Sequence, residues 1–180
     1  MMHRLLEKSF VLVSLAIMAN QAHSNPPAWP PTPELDHVLV QTSLYTRHFD
    51  ADPEHNNHQK LISLEFHTPN AWLAGGARFQ NSYAQESIYL YVGREFPLWQ
   101  FDHDLDLRAK LTAGLLHGYR GEYQDKIPFN NLGIAPAALP SVGMRWGRIE
   151  GDLILFGGAG MMVTAGLRLC HFSLSSDRDC

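Results

Sequence analysis

Hydrophobic and polar residues alternate along several separate stretches of this 180-residue chain. The clearest stretch runs from Leu105 to His117, where leucine and alanine alternate with Asp106, Arg108 and Lys110. A second stretch, from Gly160 to Leu169, has the same two-residue period. This period is the geometry of a β-strand, whose successive side chains point to opposite faces. Each strand therefore has one apolar face and one polar face, and a charged face needs water or partner groups.

Eight strands are predicted in total, separated by turn and loop residues. Their expected bounds are His37–His48, Leu61–His67, Ala71–Phe79, Ser87–Glu95, Leu105–His117, Ile134–Arg145, Asp152–Phe156 and Gly160–Leu169. Phe96 to Asp104 is predicted as a connection, and Gly147 to Gly151 as a turn. No helical pattern is found that would cover the apolar faces. The prediction is an all-β fold, an eight-stranded antiparallel transmembrane β-barrel, because closing the sheet leaves no backbone edge unpaired in lipid.

The N-terminal region has the pattern of a secretory signal peptide over residues 1–24. Arg4 and Lys8 precede an apolar run from Phe10 to Ala19, and small residues for cleavage follow. The run is shorter than the roughly 20 apolar residues that a spanning helix needs. Residues 25–36 are then expected to form an extended, proline-rich periplasmic lead-in, residues 37–169 the barrel, and residues 170–180 a periplasmic tail.

The overall composition limits the possible functions. A formal charge of −4 and a pI near 6.2 argue against a nucleic-acid-binding protein. The mean hydropathy of −0.18 fits a membrane barrel, because half of each strand faces a polar lumen. We expect a monomer without a cofactor. We also expect no metal, since the cluster from His55 to His58 lacks a third ligand. Cys170 and Cys180 either pair with each other or remain free thiols.

The expected topology gathers the polar candidates at one end of the barrel. With the N-terminus in the periplasm, the loops 49–59, 80–86 and 118–131 all face the cell exterior. His48 is a candidate base, because an imidazole can accept a proton near neutral pH, and Ser82 is a hydroxyl that such a base can activate. From the chemistry alone, the alternative is that His48 is an ordinary rim histidine and Ser82 a turn residue.

Several short motifs, taken in order, resemble one known family. They are Tyr45 to Asp50, Phe79 to Tyr83, Arg120, Ile127-Pro128 and Leu139 to Gly143. Together they resemble the lipid A palmitoyltransferases of the PagP type, which are small outer-membrane barrels of Gram-negative bacteria. The resemblance implies transfer of a palmitoyl chain from a phospholipid to lipid A, with the active site facing the cell exterior. It also implies catalytic roles for His48 and Ser82.

The resemblance is incomplete at one catalytic position. The family has an aspartate beside its serine, whereas this chain has Asn81 beside Ser82. An amide carries no negative charge with which to stabilise a protonated imidazole. Some other carboxylate is therefore expected to support His48, with Asp50 favoured over Asp125.

The resemblance also implies a set of substrate-binding residues. Arg120 would bind a lipid phosphate through paired hydrogen bonds, and Tyr83 and Asp125 would lie near it. Gly93 would form the floor of an acyl-chain pocket, although a glycine there can also simply relieve barrel curvature. These four residues form the predicted substrate-binding set.

The two prolines of the sixth strand suggest a lateral gate. Pro136 and Pro140 match the family's opening between strands, through which lipid reaches the lumen from the outer leaflet. Because proline has no N–H to donate, it also weakens strand pairing locally. Ordinary strain relief is the other explanation for both residues.

Two other functions fit the same sequence. The first is a non-catalytic barrel that serves as a structural element or a small solute pore, although an eight-stranded barrel is usually filled by its own side chains. The second is a hydrolase of phospholipid or lipid A that uses His48 and Ser82 with water as the acceptor.

Overall fold

The computed structural model describes residues 34–50, 55–102 and 104–170. They form eight strands and one short 3-10 helix. The strands are β1 His37–His48, β2 Ile62–His67, β3 Trp72–Gln80, β4 Glu86–Asp102, β5 Leu105–His117, β6 Ile134–Trp146, β7 Ile149–Leu155 and β8 Gly160–Cys170. The 3-10 helix spans Gly121–Lys126. Within these residues no helix has the length and apolarity to cross a membrane.

The strands pair in sequence order into a closed antiparallel barrel. Closure is made by β1, in which His37 lies opposite His67 of β2 on one side and opposite Cys170 of β8 on the other. A bulge between Ser43 and Tyr45 shifts the register of β1 against β8. The prediction of an eight-stranded antiparallel barrel is therefore confirmed. The signal peptide, the lead-in up to residue 33, the tail beyond Cys170 and the Cys170–Cys180 pairing lie outside the described residues and side chains.

The side chains alternate between the lumen and the outside of the barrel, as the sequence pattern predicts. On β4, Leu90 is 61% exposed, whereas its neighbour Tyr91 is 8% exposed. On β2, Ile62, Leu64 and Phe66 point outward, and the residues between them are buried. An outer surface of exposed leucine, isoleucine, valine and phenylalanine is the surface that a lipid bilayer would cover.

The two ends of the barrel differ in their connections. We call the end at which β1 finishes the loop end, since it carries the long segments 49–61, 81–85 and 118–133. The opposite end, at which β1 starts, is the turn end. There the connection between β6 and β7 is only Gly147-Arg148, in which Gly147 adopts a positive φ of 56°.

Charged residues fill the lumen near the turn end. Arg108 pairs with Glu95, Glu150 and Asp152, and Lys110 pairs with Asp152 and with Glu65. Arg108 and Lys110 are both buried. The polar face predicted for the fifth strand is thus satisfied by carboxylates from other strands, which removes most of the cost of burying charge.

Two predicted boundaries are wrong by more than one residue. β4 continues past Glu95 to Asp102, so Phe96 to Asp102 is strand and not a connection. This extension is a strand because it pairs with β5 on one side. On its other side it has no partner strand among the described residues, since the pairing between β3 and β4 ends where Trp72 meets Arg94. Pro97 is tolerated there, since a strand with one unpaired side can accept a residue that lacks an N–H.

The second wrong boundary is the start of the seventh strand. β7 begins at Ile149 and not at Asp152, so most of the predicted turn Gly147–Gly151 belongs to the sheet. Gly151 lies opposite Met144 in the ladder. Glu150, which lies within the predicted turn, is buried in the lumen, where Arg108 and Arg168 pair with it.

Two strand ladders stop before they reach the loop end. Pairing between β1 and β2 ends where Thr42 meets Ile62, so the β1 segment 44–48 has no partner in β2. Pairing between β6 and β7 begins at Ser141, so the β6 segment 134–140 has no partner in β7. Pro136 and Pro140 both lie in that second segment and are exposed on the outer surface. The wall of the barrel is therefore interrupted at two places near the loop end.

Candidate active site

A cavity of about 520 Å³ occupies the lumen toward the loop end. Its walls are mainly apolar and include Leu61, Ala77, Phe79, Leu139, Ile154 and Met162. Its lining also includes polar residues that lie deeper in the barrel, among them Gln41, Ser63, Glu65 and Lys110. The volume lies within the range of small-molecule sites, which bind ligands through apolar walls and a few polar groups. The apolar part of such a lining can contact an apolar ligand.

His48 and Ser82 meet at the mouth of this cavity. His48 is the last residue of β1, and Ser82 lies in the loop between β3 and β4, 34 residues further along the chain. The Nε2 atom of His48 lies 2.8 Å from Oγ of Ser82. When Nε2 is the unprotonated nitrogen, it accepts a hydrogen bond from the serine hydroxyl, which is the contact that a general base makes with the group it activates.

The other ring nitrogen of His48 contacts an amide. The Nδ1 atom lies 2.9 Å from Oδ1 of Asn57. Both ring nitrogens therefore have side-chain partners, and neither partner is a carboxylate. Asp50, the favoured candidate from the sequence, lines the cavity, and Asp125 is an exposed residue of the 3-10 helix. The arrangement is thus an Asn57–His48–Ser82 chain of hydrogen bonds.

Asn81 shapes the loop that carries Ser82. Its side chain is fully buried, and its Oδ1 accepts hydrogen bonds from the backbone N–H groups of Tyr83 at 2.9 Å and Gln85 at 3.0 Å. Its Nδ2 donates to the carbonyl of Gly118 at 3.3 Å. This is the way in which asparagine stabilises turns. The Asn81 side chain therefore bonds backbone groups, whereas the two ring nitrogens of His48 bond Ser82 and Asn57.

Aromatic rings surround His48 and Ser82. The ring of His55 packs against His48 with centroids 4.5 Å apart, and the hydroxyl of Tyr119 lies 3.4 Å from Oγ of Ser82. Tyr83 stacks on Tyr123 with centroids 4.0 Å apart. The Nζ atom of Lys126 lies over the Tyr83 ring, 5.7 Å from its centroid. The mouth therefore combines rings with a cation, a surface suited to a polar headgroup.

Three members of the predicted substrate-binding set, Arg120, Asp125 and Gly93, are not among the residues that line the cavity. Arg120 is exposed and does not line it; the backbone N–H and carbonyl of Arg120 bond the side-chain amide of Gln85. Asp125 does not line it either. Gly93 lies opposite Thr112, one inward position beyond Tyr91, which is the last β4 residue in the lining. Tyr83 is the member of the set that the structure brings to the cavity.

Sequence reasoning missed two residues of the site, Asn57 and Tyr119. Asn57 lies in the segment from His55 to His58, which the sequence suggested only as a weak metal site. Among the described residues no group of three or more metal-ligating side chains is found. The sequence feature that could have pointed to Asn57 is its side-chain amide, in the polar loop that directly follows His48.

No protein-family model matches the chain, and no curated protein matches it. Among solved structures, it is similar to the crystal structure of Ail, the attachment invasion locus protein of Yersinia pestis, in complex with the heparin analogue sucrose octasulfate. That match has 11% sequence identity and a TM-score of 0.36, and it covers 74% of this chain and 97% of Ail. The resemblance to the PagP-type family stays a prediction.

Proposed function

We propose that this protein is an outer-membrane acyltransferase that moves a palmitoyl-type chain from a phospholipid to lipid A or a related glycolipid. The observation that carries the proposal is the 2.8 Å contact between His48 and Ser82 at the mouth of a cavity with apolar walls. A nucleophile and a base within hydrogen-bond reach are a signature of covalent catalysis, through which an acyl group can be transferred. An apolar cavity next to them provides room for the acyl chain.

The proposed location is the outer membrane, with the site facing the cell exterior. The outward apolar side chains of the strands support a lipid environment. Near the turn end, Trp99 and Trp146 are 66% and 69% exposed on the outside of the barrel. Tryptophan is enriched where a membrane meets water, so these residues would mark the periplasmic interface.

The proposed reaction needs no cofactor. The Ser82 oxygen attacks the carbonyl carbon of the donor ester while its proton passes to Nε2 of His48. The carbon–oxygen bond to the lipid glycerol then breaks, and the proton from His48 goes to the leaving oxygen. The acceptor hydroxyl next attacks the acyl-serine and gives its proton to His48. Ser82 leaves and recovers that proton, so both side chains are regenerated.

Lipids would reach this pair through the interrupted wall. The β6 segment 134–140, with Pro136 and Pro140, and the β1 segment 44–48 both lack a ladder partner on one side. Because His48 ends the second of these segments, a lipid that passes there would place its ester close to the pair. Lys126 and the exposed Arg120 at the rim would attract the phosphate groups of either lipid.

The test is mass spectrometry of lipid A from cells with and without the gene. An added acyl mass that depends on Ser82 and His48 is the expected result. Purified protein in vesicles of a defined phospholipid with added lipid A provides the matching assay in vitro. If lipid A keeps its mass in both settings, the proposed acyl transfer is wrong.

A non-catalytic structural barrel is the second candidate. The network of Arg108, Lys110, Glu65, Glu150 and Asp152 fills the lumen near the turn end, and it favours a stable, filled barrel over an open pore. Planar-bilayer recordings would therefore show no discrete conductance steps. A hydrolase with the same pair would instead release free fatty acid without an acylated product.

A further inference from the structure

We infer that Asn57 is a positioning residue for His48, which holds the imidazole in the tautomer that leaves Nε2 free to accept the Ser82 proton. The inference deepens the proposed function, on which it rests for the role of the His48–Ser82 pair. It assigns to a neutral amide the position for which the sequence suggested a carboxylate.

The geometry of the two hydrogen bonds carries the first step. Oδ1 of Asn57 can only accept, so at 2.9 Å it requires the proton of the neutral ring to be on Nδ1. With the proton there, Nε2 carries the lone pair that faces Oγ of Ser82 at 2.8 Å. Both contacts therefore select the same tautomer, the one in which His48 is a base toward Ser82.

The second step is that Asn57 is held by the loop that carries the nucleophile. The backbone N–H of Asn56 donates to the carbonyl of Ser82 at 2.7 Å, and Nδ2 of Asn56 reaches the carbonyl of Asn81 at 3.4 Å. Oδ1 of Asn56 accepts from the backbone N–H of His58 at 2.9 Å, which closes a turn around Asn57. The position of Asn57 is thus coupled to that of Ser82.

The third step concerns charge. An amide orients the ring but adds no negative charge, so it fixes the tautomer and stabilises the protonated imidazole less than a carboxylate does. Asn81 has its oxygen engaged by two backbone N–H groups of its own turn. Asn57 therefore orients the His48 ring, a role for which the sequence alone did not identify the residue.

The kinetic test compares substitutions at Asn57. We expect Asn57→Ala to lower kcat for acyl transfer by about tenfold, as the loss of one orienting hydrogen bond implies, with KM little changed. Asn57→Asp keeps an acceptor at the same place and should restore most of the rate. Because it adds a charge that stabilises the protonated ring, it should also move the acidic limb of the pH–rate profile to higher pH. A purely structural role predicts no such movement.

His58→Ala is the matched control. His58 is exposed in the same turn and is held there through its backbone N–H, so its removal tests for damage to the loop. We expect this variant to keep the rate of the wild type. Full activity of Asn57→Ala, or an equal loss in His58→Ala, would overturn the inference.

A second measurement does not need turnover. Protein with ¹⁵N-labelled histidine in detergent micelles allows the tautomer of His48 to be observed by long-range nitrogen–proton correlation, with His48→Gln used for assignment. We expect the Nδ1–H tautomer in the wild type and in Asn57→Asp, and its loss in Asn57→Ala. An Nε2–H tautomer in the wild type, or an unchanged spectrum in Asn57→Ala, overturns the positioning role. If the tautomer follows Asn57 but no lipid is acylated, the proposed function fails while this inference stands.

Discussion

Lys110 on β5 contacts both carboxylate oxygens of Glu65 on β2, at 3.0 and 2.9 Å, across the lumen of the barrel. The two strands are not neighbours in the sheet. Both side chains are buried, and Glu65 also accepts hydrogen bonds from Tyr91 and His67. This pair therefore links two non-adjacent strands across the lumen. It lies at the depth where the cavity meets the charged residues that fill the lumen near the turn end.

Lys110→Met should destabilise the barrel, because it leaves the charge of Glu65 buried without its cation. Removing one partner of a buried pair costs about 3–5 kcal/mol in the free energy of unfolding. Adding Glu65→Gln to Lys110→Met should recover much of that loss, since no unpaired charge remains. Urea unfolding in lipid vesicles measures both variants. A double variant no more stable than Lys110→Met would contradict this explanation.

Ser82→Ala and His48→Ala should each abolish acyl transfer while the barrel stays folded. Each change removes one of the two groups that exchange the proton, and neither side chain holds strands together. Folding is checked by heat-modifiable migration in detergent gels, since a closed barrel resists unfolding until it is boiled. His117→Ala is the control, because His117 is an exposed histidine near the loop end whose Nδ1 bonds the carbonyl of Gly133. Transfer by Ser82→Ala at the wild-type rate would exclude Ser82 as the nucleophile.

Asn81→Ala should lower activity less than Ser82→Ala, because Asn81 acts through the shape of the loop and not on the proton. It leaves the N–H groups of Tyr83 and Gln85 without their acceptor, which costs about 1–3 kcal/mol for each N–H that stays buried. Asn81→Asp can still accept from these N–H groups and should retain more activity than Asn81→Ala. The measurement is the acyl-transfer rate of Asn81→Ala, Asn81→Asp and Ser82→Ala. If Asn81→Ala is as inactive as Ser82→Ala in a folded barrel, Asn81 has a direct role in the chemistry.

Strand alternation predicted most of the fold. The bounds of β1 and β5 agree with the sequence at both ends, because in each the strand is bordered by clear loop or turn residues. Prediction failed at β4 and β7, in the segments that contain Pro97 and Glu150. Whether Pro97 is tolerated depends on how far β3 extends, and whether Glu150 is buried depends on Arg108 on another strand. Neither fact can be seen in the local sequence.

The site was predicted only in part for a similar reason. His48 and Ser82 could be proposed together because the topology brings the ends of β1 and β3 to the same rim. Asn57 could not, since its contact with His48 depends on the conformation of an irregular loop. The same loop contact decides that the partner of Nδ1 is an amide and not Asp50.

Tyr119→Phe should lower kcat with little change in KM. The Tyr119 hydroxyl lies 3.4 Å from Oγ of Ser82, so it is placed to donate to Oγ while this atom gives its proton to His48 and negative charge develops on it. Loss of such a donor costs on the order of 10²-fold or more when the contact is short. At this longer distance we expect about tenfold. Steady-state kinetics in vesicles measures the effect, and Tyr45→Phe, an exposed tyrosine on β1, is the control. An equal effect in both variants would contradict a role for the Tyr119 hydroxyl.

The length of the acyl chain should depend on Ser141 rather than on Gly93. The sequence suggested Gly93→Met as the test of a pocket floor. However, a Cβ atom at Gly93 would lie 2.6 Å from the backbone carbonyl of Leu111, so that variant would displace β5 and perturb the fold. Ser141 is 5% exposed, lines the cavity and lies opposite Lys110. A larger apolar side chain there would shorten the space that is available to an acyl chain.

Ser141→Leu is therefore expected to shift transfer toward shorter acyl chains. Each methylene that loses its place in the cavity forfeits about 0.8 kcal/mol of burial, so the discrimination against the longer chain should grow by roughly fourfold per methylene. The measurement is the chain-length profile of acylated lipid A formed from vesicles with mixed donor phospholipids. Val142→Leu provides the matched control, since Val142 is the next residue on β6 and points outward, 45% exposed. A profile that is unchanged in Ser141→Leu, or shifted equally in Val142→Leu, would mean that the acyl chain does not reach this depth of the barrel.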